Sequence, residues 1–179
     1  MLTSKNTLLL VIDFQERLMP LIYRHEEMTK KAEILIKGCR ILDVPILITQ
    51  QYTKGLGETI KTLKDALGDH EVIEKISFSC CGSDEFIDAV RKSGKKNIIV
   101  TGIEAHICVL QTVLELLDFG ADVYVIADCI SSRSDADRLY AERRMDISGA
   151  ILTTVESALF EILGRADHPK RKEISNLVK

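Results

Sequence analysis

The sequence has no cysteine pair at C-x-x-C spacing, no metal-ligand pattern among its four histidines, no long apolar run and no block of like charge. Five cysteines, Cys39, Cys80, Cys81, Cys108 and Cys129, form an odd set with no paired pattern, which argues against a disulfide framework and against a structural zinc site. Reduced thiols are expected, with a strained bond between the adjacent Cys80 and Cys81 as the alternative. His25, His70 and His168 lie far apart and lack the spacing that would bind a metal. The first apolar run is six residues long before Asp13, too short for a signal peptide or a membrane span, so a cytoplasmic protein is expected. Charges are scattered and sum to -3, leaving no basic face for nucleic acid. The partner implied is a small molecule, with neither nucleic acid nor membrane.

What remains is 179 residues with 46% hydrophobic content, enough for one well-filled core and short for two, so residues 1-179 read as one domain. Thr7 to Ile12 is continuously apolar, as suits a strand covered on both faces of a parallel sheet. Further strands are read at Ile46–Gln50, Val72–Lys75, Asn97–Thr101, Asp122–Ala127 and Ala150–Thr153. Helical patterns separate them: His25 to Leu42, Thr59 to Leu67, a helix opened by Ser83 and ended by Gly94, one running up to Gly120, one from Ser134 through Ile147, and a last from about Val155. Ser134 with Asp137 has the form of a capping box. The alternation predicts an α/β fold: a three-layer, Rossmann-like sandwich with a mostly parallel sheet of about six strands and helices on both faces.

In such sheets ligands bind at the C-terminal strand ends. Asp13 closes the first strand there; capping the next turn is its plain alternative. Lys75 closes the third strand, where a solvated surface amine would be the ordinary reading. Cys108 follows the fourth strand, past a break at Gly102, in the first turn of the next helix. The positive end of that helix and the Lys75 ammonium are expected to lower the thiol pKa. Asp13 is then the group that takes and returns a proton, and backbone N–H groups between Gly102 and Cys108 can receive an oxyanion. The combination points to nucleophilic acyl transfer. His106 lies two residues before Cys108, roughly 200° around a helix, so it reads as a rim residue rather than a catalytic partner. The glycine-punctuated stretch Gln51 to Glu58 reads as a mobile rim; Gly55 and Gly57 lack the third glycine and the lysine of a phosphate loop.

Asp13-Phe14-Gln15, Lys75-Ile76-Ser77-Phe78-Ser79 and the run from Thr101-Gly102-Ile103-Glu104 through Cys108 to Thr112 together resemble the three blocks of the isochorismatase-like cysteine hydrolase superfamily. The likeness covers about Thr7 to Val178. Gln50-Gln51-Tyr52 through Gly57, and Ser131-Ser132-Arg133, resemble the isochorismatase domain-containing subgroup. The resemblance implies a Cys–Asp–Lys triad of Cys108, Asp13 and Lys75 and a cis peptide between Ile103 and Glu104. It also implies an oxyanion hole from the N–H groups of Glu104 and Cys108. Nicotinamidases of the superfamily carry metal ligands where this chain has Gln50-Gln51-Tyr52-Thr53, so no metal and no other cofactor is expected. True isochorismatases lack the nucleophilic cysteine.

The resulting expectation is a metal-independent hydrolase of a C–N bond in a small molecule, working through a thioester on Cys108, with Gln15, Tyr52, Phe78 and Ile107 lining the pocket. A nicotinamidase-like amidase is one alternative. A small-molecule-binding or scaffold protein that keeps the fold without turnover is another. The apolar helix after Cys108 and the likeness to oligomeric relatives predict a homo-oligomer.

Overall fold

A computed structural model describes all residues, 1–179. Its centre is a six-stranded sheet in the order β3-β2-β1-β4-β5-β6, formed by β1 (Thr7–Ile12), β2 (Ile46–Gln51), β3 (Val72–Lys75), β4 (Asn97–Gly102), β5 (Asp122–Ile130) and β6 (Ile151–Thr153). Every pairing is parallel. All residues of β1 and β4 are buried. That is why these strands read as unbroken apolar runs: with helices on both faces, neither side of the strand meets water.

The connections are α1 (His25–Ile41), α2 (Thr53–Leu56), α3 (Lys61–Leu67), α4 (Asp84–Ser93), α5 (Leu110–Asp118), α6 (Asp135–Ile147), α7 (Val155–Leu163) and α8 (Arg171–Leu177). One core packs α1, α3, α7 and α8 against one sheet face, with Leu35, Ile36 and Leu159 at its centre. The other packs α4, α5 and α6 against the opposite face around Phe86, Val113 and Met145. Caps fall where polar residues precede the helices. The Ser134 hydroxyl accepts from the Asp137 N–H (3.1 Å) and donates to the Asp137 carboxylate (2.7 Å).

Three details depart from the sequence reading. β5 continues through Asp128, Cys129 and Ile130, which the pattern assigned to a rim loop, because the β4–β5 register shifts between Val100 and Gly102 and carries the pairing on to Gly102 and Ile130. The stretch after β2 is folded rather than free: it contains α2, and the Arg17 guanidinium donates to the Gly55 carbonyl (2.6 Å) while Glu16 N–H donates to Glu58 (3.0 Å). The segment carrying Cys108 begins as one π-helical turn, Ala105–Val109, before α5.

Candidate active site

The side-by-side registers Ile12 with Gly102, Ile12 with Thr49, and Gln51 with Lys75 bring the C-terminal ends of β1, β2, β3 and β4 to one edge of the sheet. Asp13, directly after β1, turns with φ 53°, and its fully buried carboxylate receives two donors: Thr49 Oγ1 at 2.8 Å and Lys75 Nζ at 2.6 Å. Lys75 gives its other protons to the carbonyls of Phe78 (3.0 Å) and Ser77 (3.2 Å). Neither charged side chain has any exposed surface. Burial by itself would lower the lysine pKa, but Asp13 beside it leaves it above its usual value, so the ammonium is kept.

Gly102 sets the close approach of β4 to β1. Its φ is +144°, and a Cβ there would stand 2.4 Å from the carbonyl oxygen of Ile12. Beyond it the Ile103–Glu104 peptide is cis. The N–H of Glu104 meets no acceptor within the chain. The following turn closes with the Val109 N–H on the Glu104 carbonyl (3.2 Å), a π-type bond of the kind found often at functional sites. It leaves Cys108 almost wholly buried, with its Sγ 3.3 Å from Gln51 Oε1.

The thiol is not acidified at rest. Burial and then the Asp13 carboxylate push it up to about 12, and the opposing pull of Lys75 does not offset them. This corrects the expectation of a lowered thiol pKa, which counted the ammonium and the helix end but not the carboxylate and the loss of water.

The four expected pocket residues fall into two groups. Tyr52 and Phe78 are about half exposed and Ile107 is partly buried. Gln15 is fully buried, and its carboxamide is taken up by backbone: Nε2 donates to Gln51 (2.9 Å) and Gly57 (2.7 Å), and Oε1 accepts from the Gln51 N–H (2.8 Å). It holds the strand end that bears Gln51 instead of facing a ligand. Gln51 was missed, although the strand-end rule that singled out Asp13 and Lys75 applies equally to it. Thr49, one turn of the pleat earlier, has no such signal. Gln50 is tied to Thr59 (2.9 Å).

A profile described as the isochorismatase domain matches residues 7–157. The chain belongs to the isochorismatase family. It is 37% identical over 178 residues to the isochorismatase domain-containing protein 1 of Salmo salar, covering 99% of this chain and 62% of that one. The chain thus spans less than two thirds of that relative's length. To the secreted isochorismatase effector Isc1 of Phytophthora sojae it is 36% identical, over 99% of this chain and 87% of the other. Among solved structures, the one described as MAR1 ribonuclease from Caenorhabditis elegans superposes with a TM-score of 0.94 at 41% identity, over 99% and 91% of the two chains. These relatives agree with an isochorismatase-like hydrolase fold across the whole of this chain.

Proposed function

We propose that this isochorismatase-family chain is a cysteine hydrolase that cleaves a C–N, amide-type bond of a small molecule through a thioester on Cys108. The observation that carries the reading is the buried 2.6 Å Asp13–Lys75 pair set against the Cys108 thiol. A buried ion pair is weak as a device for stability, since desolvation consumes much of the attraction, and its conjunction with a thiol and the unused Glu104 N–H has a chemical use.

In the first half-reaction Cys108 Sγ attacks the carbonyl carbon and its proton passes to Asp13. The S–C bond forms, and the carbonyl oxygen takes the electron pair and is received by the N–H groups of Glu104 and Cys108. Collapse breaks the C–N bond, and Asp13 returns the proton to the departing amine. In the second half, Asp13 takes a proton from water, the hydroxyl oxygen bonds to the acyl carbon, the C–S bond breaks, and the thiol regains its proton as the acid leaves. Lys75 remains charged throughout and keeps the carboxylate oriented. Gln50 and Gln51, whose carboxamides engage Thr59 and Cys108, stand where nicotinamidases carry metal ligands, which supports a metal-independent route. Tyr52, Phe78 and Ile107 are assigned to the pocket wall.

Intact-mass spectrometry with a panel of small amides, carbamates and esters tests this. An acyl adduct on Cys108 is expected, absent in Cys108→Ala; hydrolysis that survives in Cys108→Ala would overturn the mechanism. A second reading follows the name of the nematode relative: cleavage of RNA. The net charge of -3 weighs against it, since RNA binding draws its affinity from cationic contacts. RNA in the same panel, cut by the parent with no adduct from any acyl compound, would favour this second reading. The five unpaired thiols support a reducing, cytoplasmic location. Exposed Phe119, Tyr140 and Ile147 support a homo-oligomer.

A further inference from the structure

Three consecutive residues after β5 each hold one of three consecutive residues at the turn that carries the nucleophile. The Ser131 carbonyl accepts the Ala105 N–H at 2.7 Å. Ser132 Oγ accepts the His106 N–H at 3.3 Å and lies 2.9 Å from His106 Nδ1. Arg133 Nε donates to Glu104 Oε1 at 2.6 Å and Nη2 to Oε2 at 3.4 Å. The same stretch is anchored on its far side, where Tyr23 N–H donates to the Ser132 carbonyl (2.9 Å) and Ser131 Oγ donates to the Tyr23 carbonyl (2.8 Å). Both serines are buried, whereas the Arg133 side chain is 59% exposed against a Glu104 side chain at 10%.

An exposed arginine lent to a buried carboxylate adds little as a surface ion pair. Its forked geometry, however, fixes a carboxylate in two directions, which a lysine cannot do. Glu104 is also the residue whose backbone N–H is unused. We propose that Ser132 and Arg133 are positioning residues that set the direction of the Glu104 N–H, so that the two donors converge on the oxygen of a carbonyl under attack by Cys108. This rests on the acyl-transfer reading above and adds what aims its oxyanion hole.

The test compares two reactions at the same sulfur. p-Nitrophenyl acetate acylates a thiol: the S–C bond forms, p-nitrophenolate leaves, the thiol proton goes to Asp13, and the carbonyl oxygen passes through an oxyanion. Methyl methanethiosulfonate transfers a methylthio group to sulfur with loss of methanesulfinate and has no carbonyl. Rates of both at Cys108 are followed by peptide mass for the parent, Arg133→Met, Ser132→Ala, Glu104→Gln and the Glu104→Gln/Arg133→Met double variant. Expected is a loss of about tenfold to a hundredfold in acylation for each variant, with thiosulfonate modification within about twofold of the parent. The double variant is expected to lose no more than either single change, because both break one link. Variants that acylate as fast as the parent would overturn the proposal while leaving the acyl-transfer reading in place. Equal losses in both reactions would overturn it too, by showing general damage to the site. A parent that reacts with the thiosulfonate but never with the ester would defeat the acyl-transfer reading itself and the proposal with it.

Discussion

Lys75 has three protons and three acceptors, one of them charged, and all inside the protein. Such an ammonium has no freedom to act as an acid, so in the proposed mechanism it works through the carboxylate it orients and the field it exerts on the thiol. The thiol itself answers to opposing neighbours: burial and Asp13 raise its pKa to about 12 and Lys75 lowers it. Asp13→Asn is therefore expected to lower the Cys108 pKa while abolishing acyl turnover, and Lys75→Met to raise it further. Both are read from the pH profile of thiosulfonate modification; a lower pKa in Lys75→Met would refute the assignment. Lys75→Met also strands a carboxylate without water, which is expected to cost about 3–5 kcal/mol in chemical denaturation. Asp13, Lys75 and Cys108 were legible in the sequence because each ends a strand or opens the helix after one. The sign of the thiol shift was not, because it is a sum over burial and two charges whose distances exist only in the folded chain.

At the scale of elements, the site depends on how closely β4 can lie beside β1. Gly102 permits it: its φ of +144° is strained for any side chain, and a Cβ would meet backbone at Ile12 rather than a movable group. Gly102→Ala is expected to destabilise the fold by about 3 kcal/mol or more, from strain and overpacking together, and to slow acylation of Cys108. A variant with parental stability and parental acylation would show that the β1–β4 approach has slack. The break at Gly102 was visible as a glycine between an apolar strand and a helical pattern. The extension of β5 to Ile130 and the clamp from Ser131 to Arg133 were not, because they depend on pairings between residues 26 to 29 positions apart in the chain; nor was the π turn, whose bond from Val109 to Glu104 has the same apolar pattern as an ordinary helical turn. Gln15 illustrates the same limit: a polar residue beside a strand end looks like a ligand contact until its carboxamide is seen to be spent on β2 and the loop beyond it.

Across the whole molecule, the sheet buries thiols on both of its faces, Cys39 and Cys129 in one core and Cys80 and Cys108 in the other. Burial, the first cause in each case, pushes Cys39 and Cys108 up to about 12 and Cys80 to about 11 from an ordinary value of 9.0. A group whose folded-state pKa is raised lends its full stability below the unfolded value and loses it as pH climbs toward the folded one. From pH 9 upward the unfolded chain therefore releases protons that the native protein retains, and stability falls by about 1.4 kcal/mol per pH unit for each such thiol. Below pH 8 the same thiols contribute no slope. Cys39 isolates the effect, since it sits in the core packed around α1 and outside the proposed chemistry. Cys39→Ala loses a fixed amount from the gap it leaves. Between pH 9 and 10.5, before most lysines titrate, its urea-unfolding stability is expected to fall more gently than that of the parent, by about one thiol's share of the slope. Parallel slopes for the two proteins would mean that Cys39 ionises as readily in the native core as in the unfolded chain, and would remove Cys39 as a cause of the alkaline loss of stability.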